Sequence, residues 1–139
     1  MTGGMRFTEL PCRIDYLSTD KHQHGRVAIS KADHSSWCIA REAEAAAFCG
    51  ASRGAGCRDG NGNVWYAERD GTRLVVLGTA DEKLALFQEP SNEFDDWHGH
   101  PRGHRGRDDY PDPATLRGLK DAGIINNVEY GRMVGGNIP

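Results

Sequence analysis

The hydrophobic pattern along the chain changes period several times, and each change marks an element. From Met5 to Ser30, apolar and polar residues alternate in two pieces, MRFTELPCRIDYL and GRVAIS. They read as a pair of strands joined by the polar segment STDKHQHG, where His22 and His24 are loop residues in water. The run from Ile39 to Cys49 is rich in alanine and glutamate, both strong helix formers, and Gly50 is placed to stop it. Ser35 or Ser36 is positioned to cap its start. Trp37, Ile39 and Phe48 supply apolar contacts to a sheet, while Arg41, Glu42 and Glu44 are expected to face outward or toward a partner.

Glycine then takes over. The stretch GASRGAGCRDGNGN has neither the phosphate-loop pattern G-x-x-x-x-G-K-[ST] nor a G-x-G-x-x-G between a strand and a helix, so it reads as a flexible connection that turns at DGNG. NVWYAER, TRLVVLG and KLALFQE follow as short strands, and the first two are joined by RDGT, whose Asp-Gly pair favours a tight hairpin. Trp65, Tyr66 and Phe87 are placed in a sheet core rather than on a base-stacking surface, because no basic stripe accompanies them. Further on, Asp112 caps a helix whose first turn begins with Pro113. Leu116 and Leu119 share its inner face, and Gly123 ends it before Ile124 and Ile125 return to the core. VEYGRMV, from Val128 to Val134, reads as a short strand or a docking turn, and GGNIP as a frayed terminus. The sum is an α+β fold, a small antiparallel sheet of about five strands with two short helices, in a single domain spanning residues 1–139.

Composition narrows the function. With 37% hydrophobic residues and 18 glycines the chain is lean in apolar content, yet its apolar runs suffice for a core, which argues against disorder throughout. A net charge of -3 argues against a dedicated nucleic-acid binder. MTGGMRFTEL lacks the apolar core of a signal peptide, and no run approaches the roughly 18 residues that span a bilayer. The expected setting is therefore cytoplasmic, with no membrane. Cys12, Cys38, Cys49 and Cys57 form no C-x-x-C pair, so reduced thiols are expected; a zinc set of Cys38, Cys49, Cys57 and His34 has irregular spacing. Neither a metal nor any other cofactor is assigned.

The densest chemistry lies in FDDWHGHPRGHRGRDDYPDP, Phe94 to Pro113. His98, His100 and His104 and the three arginines Arg102, Arg105 and Arg107 lie between the pairs Asp95–Asp96 and Asp108–Asp109. Pro101 disfavours a helical His100, so the segment is extended there. His98 and His100 then share a face about 6–7 Å apart, while Trp97 turns the other way into the core.

Four uses compete for this segment. Metal binding has suitable atoms, His98, His100 and His104 or an aspartate, but H-x-H alone is a weak signal. A small hydrolase, best matched by a ribonuclease, would use His98 and His100 as base and acid and Arg102 against phosphate charge, since an unperturbed imidazole titrates near neutrality. Recognition would use Trp97, Arg102, His104, Arg105 and Arg107 as a basic island with acidic banks, contacting a protein partner or an anionic small ligand, with RNA as a third possibility. The bland use is a neutralised loop in which Asp95 and Asp96 pair with Arg102 or Arg105, and Asp108 and Asp109 with Arg107. G-x-S-x-G and H-E-x-x-H are absent, and nothing local marks Cys38 as a reactive thiolate. The leading reading is a small binding or inhibitory protein, of a kind suited to a bacterial accessory role, with the hydrolase as the alternative.

Overall fold

The computed structural model describes residues 4–19, 36–92, 95–103, 106–137 and 139. GRVAIS, His22, His24, His34, His104 and Arg105 lie outside the described residues. Along the chain run β1 (Gly4–Phe7), β2 (Tyr16–Thr19), α1 (Arg41–Gly50), β3 (Gly56–Arg58), β4 (Val64–Tyr66), β5 (Arg69–Asp70), β6 (Arg73–Leu74), β7 (Leu84–Gln88), β8 (His98–Arg102), α2 (Pro113–Asp121) and α3 (Asn127–Val134).

The architecture is α+β, but the single five-stranded sheet expected from the pattern is replaced by a four-stranded antiparallel sheet, β3-β4-β7-β8, with two satellite pairs, β1-β2 and β5-β6. The RDGT hairpin forms as expected, with Gly71 at φ 63°. Its second arm pairs only through Arg73 and Leu74, after which the chain leaves the ladder and Gly78 bridges to Trp37. The first strand pair also differs from expectation. MRFTELPCRIDYL folds back on itself, with Gly4 opposite Thr19 and Phe7 opposite Tyr16. Pro11 cannot donate to a ladder and Arg13 takes φ 62°, so the alternation carries through a reversal rather than one long strand. This hairpin docks on β8: Leu17 N–H donates to the Trp97 carbonyl at 2.8 Å, beside a parallel bridge between Tyr16 and Trp97.

Two cores flank the sheet. Tyr16, Trp37, Phe48, Tyr66, Leu77 and Phe87 fill the side covered by α1, and Trp97 packs against them. Trp65, Leu84, Leu86, Tyr110, Leu116, Leu119 and Met133 fill the other side under α2 and α3. Trp65, Tyr66 and Phe87 are buried, as their strand positions implied.

Helix α1 holds three corrections. It begins after Ala40 with no side-chain cap, so Ser36 does not cap it, and Ser35 lies outside the described residues. Gly50 stays helical and the chain runs on through a wide turn, Ala51–Ala55, until Gly54 reverses it at φ 111°. Glu44, expected to face outward, is fully buried. It sits one turn before Phe48 on the inner face of α1 and accepts from the Tyr16 hydroxyl and, at 2.7 Å, from Ser18 Oγ. Those donors offset the cost of taking a carboxylate out of water.

α2 matches expectation: Asp112 caps it through the Thr115 N–H, Gly123 follows it at φ 79°, and Ile125 is buried. VEYGRMV, however, lies in a third helix. A capping box starts α3, in which Asn126 and Glu129 each accept from the other's backbone N–H, so N-x-x-E carried the signal that the apolar pattern did not.

Cys12 and Cys49 are joined as a disulfide with their Cα atoms 5.3 Å apart, tying the β1–β2 connection to the end of α1. The expectation of reduced thiols is thus not met at these positions; Cys38 and Cys57 are free. No helix among the described residues is long and apolar enough to cross a membrane.

Candidate functional site

Strand β8 carries the histidines, and its pleat sorts their neighbours. Gly99 and Pro101 are buried, whereas His98, His100 and Arg102 are half-buried on the opposite face. They stand across from Gln88, Leu86 and Leu84 of β7. The extended geometry imposed by Pro101 is therefore present as a paired strand, where a loop had been expected. Gly99 permits it: a Cβ there would lie 2.5 Å from the Phe87 ring and 2.8 Å from the Leu86 carbonyl oxygen. Trp97 turns to the α1 side, its ring 5.6 Å from that of Phe48, with the Arg58 guanidinium 5.6 Å from its centroid. It is as much a core residue as a surface one.

The two ends of the segment have different surroundings. At its start, two adjoining hollows of about 600 and 680 Å³ share the wall Arg6, Glu89, Pro90, Ser91, Asp95 and Asp96; Trp97 lines the first and His98 the second. Arg6 reaches across from β1 to hold Asp96 at 2.6 Å and Asp15 at 2.9 Å, and the Asp96 bond leads the influences that raise its pKa. Asp95 accepts from Asn92 Nδ2 at 2.8 Å and is in no ion pair among the described residues. In the first hollow four carboxylates, Asp15, Glu89, Asp95 and Asp96, face two guanidinium groups, Arg6 and Arg13, so the furrow is acidic.

At the far end the cations turn inward. Arg102 donates from Nε to the buried Asp109 at 2.6 Å and from Nη2 to the Asp108 carbonyl at 3.0 Å, and its guanidinium stands 5.4 Å from the Trp65 ring centroid. Asp109 also accepts from the Gly103 N–H. Arg107 donates to the Pro111 carbonyl at 2.9 Å. The Tyr110 hydroxyl lies 3.0 Å from the carbonyl oxygens of Gly103 and Asn137; burial, and then the charge of Asp109, push its pKa up to about 12, which keeps it a donor.

These pairings differ from the neutralised loop read in the sequence. Asp96 pairs with Arg6 rather than Arg102, and Asp109 with Arg102 rather than Arg107, because a strand projects Arg102 toward the turn that follows it. The structure thus brings His98, His100 and Arg102 onto one strand face, and separates Trp97 and His98 at the furrow from Arg102 and Arg107 in the brace. His104 and Arg105 lie outside the described residues.

The Arg6–Asp15 wall and the 89–92 turn were not legible in the sequence. Arg6 meets Asp96 across 90 positions, and no local pattern encodes that contact. Among the described residues no group of three or more His, Cys, Asp or Glu gathers as a metal shell. Partial burial, as the leading cause, raises the thiol pKa of both Cys38 and Cys57, which disfavours the thiolate a nucleophile needs. No family model, curated protein or solved structure matches the chain.

Proposed function

We propose that this protein is a small binding module whose contact surface is the furrow at the Trp97–His98 end of β8, and that it takes a lysine- or arginine-bearing segment of a protein partner. The observation that carries the reading is Asp95, an exposed carboxylate without an ion pair among the described residues, beside an indole and an imidazole in an acid-walled hollow. Aromatic anchoring and charge matching are the usual means by which such a surface selects a partner. An inhibitory or accessory role in the cytoplasm belongs to the same proposal, and the Cys12–Cys49 pair gives the compartment its own check, since disulfides persist mainly in oxidising settings. Counting free thiols in protein taken directly from cells reports that.

The binding experiment is a titration of the intact protein with a lysine-rich decapeptide and a glutamate-rich one, repeated on Asp95→Lys and Glu89→Lys. Preference for the cationic peptide, lost by about tenfold or more in the variants, is expected. Equal affinity for both peptides, or no effect of the charge reversals, contradicts the proposal.

One observation favours a second reading. His98, His100 and Arg102 share a strand face, the arrangement that acid–base cleavage of a phosphodiester would need. Labelled RNA incubated with the protein, with and without chelator, tests it. Cleavage lost in both His98→Ala and His100→Ala supports a hydrolase, and no cleavage by the unaltered protein removes it.

A further inference from the structure

Away from β8, a groove of about 390 Å³ runs between the β5–β6 hairpin and α3. Three cations line it: Arg73 from β6, Lys83 just before β7, and Arg132 from α3. None of the three enters an ion pair or a side-chain hydrogen bond among the described residues. That sets them apart from Arg6, Arg58, Arg69 and Arg102, each of which holds a carboxylate. Glu129 also lines the groove, but it is held by Arg69 and by the Asn126 N–H at 2.8 Å. Pro139 lines it as well and is in no ion pair with the three among the described residues.

In a chain of net charge -3, three cations around one hollow, in no ion pair among the described residues, repel one another and raise the local potential toward anions. The groove has an apolar side too, since Leu74, Val76 and Val128 line it, and Val76 and Val128 are exposed at 37% and 63%. A ligand that satisfies both features has a multiply charged oxyanion at one end and a compact apolar body at the other. A phosphate monoester carries roughly -1.5 to -2 at neutral pH and three acceptor oxygens, a closer match to three cations than a carboxylate's single charge.

We infer that the groove between the β5–β6 hairpin and α3 is a binding site for a small phosphate monoester with an apolar group, gripped by Arg73, Lys83 and Arg132. This site is separate from the furrow, so its test is independent of the proposed function.

Phenyl phosphate is titrated into the full chain by calorimetry and by amide chemical shifts, with inorganic phosphate and benzoate as the two partial probes. Arg73→Glu, Arg132→Glu and the milder Lys83→Gln are compared with Arg117→Glu, an exposed cation on α2 outside the groove. Unchanged circular dichroism and melting establish that each variant is folded. Saturable phenyl phosphate binding is expected, tighter than either partial probe and weakened by added salt. The charge reversals should lower the affinity by about tenfold or more, Lys83→Gln by a smaller factor, and Arg117→Glu should leave it unchanged. The inference is overturned by absence of saturable binding to the unaltered protein, by equal losses in Arg117→Glu and the groove variants, or by benzoate binding as tightly as phenyl phosphate.

Discussion

The start and the end of the segment from Asp95 to Asp109 are built from the same few residue types, yet they do opposite things. At the start, Asp95 and Asp96 border an open furrow, and the guanidinium that holds Asp96 among the described residues comes from a distant strand. At the end, Arg102 and the buried Asp109 lie seven positions apart and close on each other, with Gly103 and Tyr110 completing a brace. The difference is one of geometry rather than composition. A strand directs Arg102 at the turn that follows, where a carboxylate can be buried beside it, whereas Asp95 sits before the strand and among the described residues has a side-chain hydrogen bond from Asn92 alone. A charged residue is available to a ligand only where the fold has not already satisfied it.

The largest effect should come from breaking the brace. Asp109→Ala strips the partly buried Arg102 guanidinium and the Gly103 N–H of their acceptor, and a loss of about 3 kcal/mol in urea denaturation is expected. A loss near zero would mean that the far end is as open as the near one. Next, Trp97→Ala should cost about 2 kcal/mol, because the indole packs on Phe48 as well as lining the furrow. Unchanged stability would place Trp97 wholly on the surface. Binding lost in that variant therefore has to be read beside its melting curve.

How much of this was legible in the sequence depends on the range of the contact. Pro101 announced extended geometry for His100, and the period of two then placed His98 and His100 together and Trp97 opposite. Asp112, Pro113 and Gly123 marked α2 because caps and breakers act within a turn. α3 was legible too, through Asn126 and Glu129, but only to a reading of caps rather than of apolar period. Glu44 was not: its burial depends on Tyr16 and Ser18, which reach it from strand β2 across 28 and 26 positions. The furrow was hidden for the same reason, since Arg6 and Asp15 belong to a hairpin that docks on β8 from the far end of the chain.

Smaller effects sharpen the comparison. Asp112→Ala removes the α2 cap that follows the brace, and about 1 kcal/mol should be lost at neutral pH. The hydrogen bond from the Thr115 hydroxyl leads in holding the Asp112 carboxyl below its ordinary range. A folded-state pKa below the unfolded one gives stability that is present above the unfolded value and lost as pH falls through the folded one. The gap between the unaltered protein and Asp112→Ala should accordingly narrow in acid, and a gap that widens there contradicts this. Smallest of all, Asp95→Asn should shift stability by no more than about 0.5 kcal/mol, since Asp95 is exposed and an amide oxygen can still accept from Asn92. A larger loss would put Asp95 among the structural carboxylates with Asp109.

The contrast between an available near end and a satisfied far end is tested most directly by amide chemical-shift mapping of the intact protein during titration with the lysine-rich decapeptide. Shifts should concentrate at 89–92 and 95–98, with Arg102, Gly103 and Arg107 to Tyr110 unmoved. Shifts centred on Arg102 to Tyr110, or no saturable shifts along 89–98, would contradict the account.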